Sequence, residues 1–171
     1  MQKYLPEILK EVNDNPQLLT QLRGDAALTL LFKHAFDPAA KFILPEGDPP
    51  FKQDAAPIGM TPANLRMELK KLYVFCRTDL PAIRRESLFV QLLEAVHPSE
   101  AKLLLAVKDQ DLTSLYPNIT HQLVYENGFT QVVPTEAPKK IKKVDDQITD
   151  AVTVKRGRGR PKKDLGVTVN P

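Results

Sequence analysis

Apolar residues return at helical spacing through most of the first 130 positions. Leu5, Ile8, Leu9 and Val12 fall at i, i+3, i+4 and i+7, the stripe of a short amphipathic helix. Asn15 and Pro16 then read as cap and first position of a second helix, QLLTQLR, which Gly24 stops. Asp25 caps a third, with Leu28, Leu31, Phe32 and Ala35 on one face before Asp37 and Pro38 end it. Further along, Thr61 and Pro62 open a helix that carries Leu65, Leu69, Leu72, Tyr73 and Cys76 on one stripe. Pro81 precedes another, with Leu88, Phe89, Leu92, Leu93 and Val96 on one face. Pro98 starts one that turns Ala101, Leu104 and Leu105 inward, and a last helix runs from Asn118 to Glu126, ended by Asn127 and Gly128. No alternating β-branched run with hairpin turns precedes position 131, so the pattern predicts an all-α body. Short connections over residues 61–107 favour antiparallel neighbours in a compact irregular bundle, and no fixed repeat period supports a solenoid.

Between Pro38 and Pro62 the run LPEGDPPFKQDAAPIG holds six prolines and glycines, a composition that suits neither a helix nor a central strand. A stretch of about 20 residues without regular structure needs anchors or a purpose. Phe42, Ile43 and Phe51 are the expected anchors, with a partner-binding role for the loop as the alternative to plain surface packing.

Composition changes at about residue 130. All eleven Tyr and Phe lie at or before Phe129, which leaves residues 131–171 without the aromatic side chains that help build a core. Charge divides at the same place: residues 1–130 carry 14 Lys or Arg against 16 Asp or Glu, whereas residues 131–171 carry 10 against 5. The expected organisation is a helical domain over 1–130, a flexible linker over 131–154, a basic segment over 155–163 and a disordered C-terminus over 164–171. An acidic globule with a basic arm is suited to electrostatic attachment to a polyanion.

The basic segment reads KRGRGRPKK: Lys155, Arg156, Arg158, Arg160, Lys162 and Lys163 surround Gly157, Gly159 and Pro161. The minor groove of A·T-rich DNA is only about 6 Å wide and unusually negative, so it admits a thin cationic backbone where a helix does not fit. Two glycines keep the backbone thin, which lets Arg158 and Arg160 run along the groove floor towards thymine O2 and adenine N3. Pro161 fixes φ and directs Lys162 and Lys163 to phosphates. Arg158-Gly159-Arg160-Pro161 with its flanking lysines resembles the AT-hook of chromosomal high-mobility-group proteins. A generic basic tail, as in a localisation signal, is the plainer reading of the same residues.

In the body, PANLRMELKKLYVF and LPAIRRESLFVQLLEAVHPSEAKLLLAVKDQDL resemble small uncharacterised proteins of T-even-like and marine cyanobacterial myoviruses. That resemblance spans about residues 30–130 and implies phage origin with no known activity.

Catalytic and metal chemistry find few candidates. His34, His97 and His121 are isolated, lack HExxH-type spacing and read as surface or helix-end residues, so neither a metal nor a cofactor is expected. Cys76 falls on an apolar stripe and reads as a small buried hydrophobe rather than a nucleophile. Asp109 and Asp111 suit turn and cap contacts. Lys70, Lys71, Arg84 and Arg85, with Glu68 and Glu86 nearby, read as a solvated face rather than an extension of a DNA footprint. The N-terminus lacks the apolar core of a signal peptide and no apolar stretch is long enough for a membrane span. One cysteine leaves no internal disulfide, which suits a reducing, cytoplasmic setting, in an infected bacterial host if the phage resemblance holds.

Together these features point to a non-enzymatic protein that uses Lys155 to Lys163 on A·T-rich duplex DNA and its helical body for a protein partner or self-association, in a regulatory or architectural role. The rival is an interaction module whose basic tail docks on an acidic protein or RNA. Limited proteolysis checks the organisation: residues 1–130 are expected to survive as a helical core while 131–171 are removed quickly. Protease resistance across Ala137 to Lys155 in the free protein would contradict it.

Overall fold

The computed structural model describes residues 3–53, 57 and 60–134. Within them the chain forms eight α-helices and two 3-10 segments, with no strand among the described residues. The expected linker beyond Pro134, the segment 155–163 and the C-terminus 164–171 lie outside the described residues.

The first three helices follow their sequence signals. Helix α1 spans Leu5–Asp14 and buries Leu5, Leu9 and Val12, while the Glu7 carboxylate accepts the Tyr4 amide at 3.1 Å to close its N-terminus. Helix α2 is one turn, Leu18–Gln21, shorter than QLLTQLR suggested; the Asn15 side chain accepts the Gln17 amide ahead of it, and Gly24, at φ +92°, takes the left-handed turn that follows. Helix α3 spans Ala26–Phe36 and is capped by Asp25, whose carboxylate accepts the amides of Ala27 and Leu28. At its C-terminal end, where carbonyls lack helical partners, Gln110 donates from a distance to His34 O in the last turn and to Asp37 O just beyond the helix.

After a 3-10 turn at Pro38–Ala40 the chain runs without regular structure to Asn64 wherever it is described. Phe42 is buried and Phe51 is partly buried against the core, as expected of anchors. Ile43 is not an anchor: it is 43% exposed, because its amide bonds to Phe75 O and that pairing turns the neighbouring Phe42 and Leu44 inward.

The helix read from Thr61 begins later and changes type. Asn64, not Thr61, caps it by accepting the Arg66 amide, and α4 covers only Leu65–Glu68. A 3-10 helix, Leu69–Cys76, continues it. At three residues per turn Leu69, Leu72 and Phe75 eclipse one another and are buried, whereas Tyr73, placed on the stripe by a 3.6-residue period, is 56% exposed. Cys76 is only half-buried for the same reason.

Helices α5 (Ala82–Ala95) and α6 (Pro98–Lys108) complete the core, followed by a single turn, α7 (Leu112–Leu115), that the sequence pattern did not announce, and by α8 (His121–Glu126), capped by Thr120. Helix α6 touches α1, α3, α5 and α7. It buries Leu103 and Val107 as well as the expected Ala101 and Leu104, with Leu105 only partly covered, because a helix with neighbours on several sides has no single apolar face. Residues 61–107 therefore do not form a bundle of their own; one core joins them to α1 and α3.

Exchanging Leu69 for Ala is expected to cost about 2–5 kcal/mol in urea unfolding. Tyr73→Ala should stay within about 0.5 kcal/mol, as for exposed positions. Equal costs would restore the regular α-helical stripe in place of the 3-10 segment.

Candidate functional site

The proline-rich loop and α5 enclose a groove of about 440 Å³. One wall is Leu44-Pro45-Glu46-Gly47-Asp48-Pro49-Pro50, in which three prolines restrict φ and Gly47, at φ +86°, makes the turn. The other wall is the first half of α5, through Ile83, Glu86, Ser87, Phe89 and Val90. Three rings fix the two walls together: Phe42, Phe75 and Phe89 have centroids 5.3 to 6.1 Å apart in tilted and edge-on pairs, one each from the loop, the 3-10 helix and α5.

At the floor, Lys108 reaches from the last turn of α6 to Pro45 O at 3.2 Å and pairs with the Asp109 carboxylate, with its side chain only 2% exposed. Its charge is thus spent on the protein. Glu46, Asp48 and Glu86 are exposed around the groove and form no ion pair among the described residues. The groove therefore has an apolar lining and an acidic rim.

Candidate residues named from the sequence have a definite place only where they fall among the described residues. The segment Lys155 to Lys163 lies outside the described residues. His97 is at a helix end as expected, where its Nδ1 accepts the Ser99 amide before α6; His121 opens α8 and stacks on Phe36, with centroids 5.1 Å apart. His34 departs from expectation, being buried against Phe42, with its ring Nδ1 3.0 Å from Ala40 O. Burial lowers its pKa despite that carbonyl, and burial raises the pKa of Cys76, whose thiol donates to the same Ala40 O at 3.1 Å and sits 3.8 Å from His34 Nδ1. Near neutral pH the pair is imidazole and thiol, two neutral groups that tie α3 to the 3-10 helix. Among the described residues no group of His, Cys, Asp and Glu has the arrangement of a metal site.

Lys70 and Lys71 are solvent-exposed, and Lys71 pairs with Glu68 at 2.8 Å. Arg84 is exposed too, but Arg85 is not part of a solvated face: it is buried and donates to Arg77 O, because it lies one turn before Phe89 on the inner side of α5. Asp111 accepts from the Ser114 hydroxyl as a turn residue. Two polar links had no signal in the sequence. Arg66 makes a two-point pair with Asp25 (3.0 and 2.8 Å) that joins α4 to the cap of α3; burial alone would raise the Asp25 pKa, but Arg66 and the capped amides outweigh it and hold it low. Glu100, fully buried in the first turn of α6, accepts the Leu65 amide at 3.1 Å through Oε2 while Oε1 has no partner.

Residues 8–114 match a family of unknown function, DUF6433. The chain belongs to that family. No curated protein matches it, and no solved structure matches it. The DUF6433 match takes in every residue of the groove, from Leu44 to Lys108, and also Asp25, Arg66 and Glu100; Lys155 to Lys163 lie beyond it. No helix among the described residues is long and apolar enough to cross a membrane.

Burial pushes the Glu100 carboxyl up to about 7, against the pull of the Leu65 and His97 amides. Its folded-state pKa is above the ordinary value of 4.5, so its contribution to stability is fully present below about pH 4.5 and is lost as pH rises through 7. Glu100→Gln, which keeps an acceptor for Leu65, is expected to remove this dependence and to be the more stable protein at pH 8 by roughly 2–4 kcal/mol. Urea unfolding of both proteins at pH 4.5, 6 and 8 checks it; parallel pH curves would refute a buried, titrating Glu100.

Proposed function

We propose that this chain is a non-enzymatic DNA-binding protein, of phage origin, in which Lys155 to Lys163 occupies the minor groove of A·T-rich duplex DNA and the helical body is the half that meets a protein partner. The observation that carries the reading is the sequence KRGRGRPKK, with glycines where the backbone must approach the groove floor and arginines where it must be read. Charge supports the division of labour. Residues 1–130 hold more carboxylates than cations and their groove has an acidic rim, the wrong sign for a polyanion, so attachment to DNA falls to the basic segment. The likeness of residues 30–130 to small myovirus proteins supports an infected bacterial cell as the setting. One such segment neutralises only about four to six phosphates and binds weakly by itself, so a second attachment through the body raises occupancy by effective concentration; a regulatory or architectural role follows.

Fluorescence anisotropy on paired A·T-rich and G·C-rich duplexes tests this. Affinity should fall about a hundred- to a thousandfold between 50 and 200 mM salt. Arg160→Ala should weaken A·T-rich binding by roughly 1–3 kcal/mol and reduce the preference, whereas Lys163→Ala should weaken both duplexes about equally. Gly159→Val should abolish the preference with charge unchanged. Equal affinity of the unaltered protein for both duplexes would reduce the segment to an ordinary basic tail.

A further inference from the structure

We propose that the groove between residues 44–50 and α5 docks a peptide segment of another protein, one with an apolar anchor flanked by Lys or Arg. This rests on the reading of the body as the partner-binding half and gives that partner a chemistry. The volume, about 440 Å³, falls in the range of about 300–1,000 Å³ of clefts that hold a small ligand, room for an anchoring side chain of a peptide. Leu44, Phe89 and Val90 line it, and Ile83 stands at the edge 83% exposed. A lone exposed isoleucine means little, but one continuous with an apolar lining extends a surface that an incoming side chain can cover.

Charge selects the occupant. Glu46, Asp48 and Glu86 are exposed without an ion pair among the described residues, and Lys108, which might have balanced them, is buried, paired with the Asp109 carboxylate and bonded to Pro45 O. A cationic segment gains at all three carboxylates, whereas nucleic acid or an acidic peptide meets like charge. The wall is also formed in advance. Pro45, Pro49 and Pro50 restrict the loop, Phe42 pins it to Phe75 and Phe89, and Lys108 holds it from beneath, so little conformational freedom remains to be lost on binding.

Selection of random 12-residue displayed peptides on the full chain, in the absence of DNA, tests the proposal. Enriched peptides should carry an aliphatic or aromatic residue next to at least two Lys or Arg. Synthetic versions should lose about tenfold or more in affinity on Ile83→Asp or Glu86→Lys, both at exposed positions where folding is unaffected, and should weaken with salt. No enrichment, peptides without basic residues, or binding that survives both substitutions would overturn it. So would a concentration-dependent dimer abolished by Ile83→Asp, which makes a second copy the occupant. Binding that emerges only after deletion of residues 155–163 would overturn it too, since it makes this chain's own basic segment the occupant. The DNA measurement uses neither peptide nor groove, so failure of one leaves the other standing.

Discussion

Helix α6 is enclosed by α1, α3, α5 and α7, and an enclosed helix must satisfy its charged ends from within the protein. It does so with one buried side chain at each end. Glu100 lies in the first turn, where a carboxylate suits the positive end of the helix dipole, and Lys108 lies in the last, where a cation suits the negative end. Both side chains also reach out: Glu100 accepts the Leu65 amide and sets where α4 begins, and Lys108 binds Pro45 O and sets where the loop crosses. The two irregular parts of the chain are thus referenced to the same helix. The cost falls on Glu100, whose second oxygen is unpartnered and whose ionisation is opposed by burial.

The groove is a consequence of that arrangement. Prolines keep residues 44–50 out of regular structure, so the loop can neither pair nor coil over α5. The three-ring cluster draws it in at Phe42, and beyond that point it stands away from α5, which leaves Ile83 and Val90 facing a gap. Because Lys108 is consumed below, the exposed charges around the gap are negative. The chain thus carries charge of opposite sign in two places, six cations between Lys155 and Lys163 and three exposed carboxylates around the groove of the body.

Much of the fold was legible in the sequence because caps and helical periodicity are local. Asp25, the stripes of α1 and α3, Pro98 at the first position of α6, and the stop at Asn127 and Gly128 are all decided within a few residues of themselves, and the all-α class followed from them. The run of cations and glycines from Lys155 to Lys163 is also plain in the sequence, and it lies outside the described residues. Only the tertiary structure decided the rest. Phe75 is buried and Tyr73 exposed because the segment winds at three residues per turn where it packs on α3 and α5; His34 and Arg85 are buried where carbonyls brought by other segments, Ala40 O and Arg77 O, meet them. Ile43 was turned outward by a bond to Phe75, 32 positions away, and the groove needed residues from 44–50, 83–90 and 108 in one place. A pattern read along the chain records which residues prefer to leave water; which neighbour covers them, and which polar groups are satisfied in the process, is fixed by contacts between positions far apart in sequence.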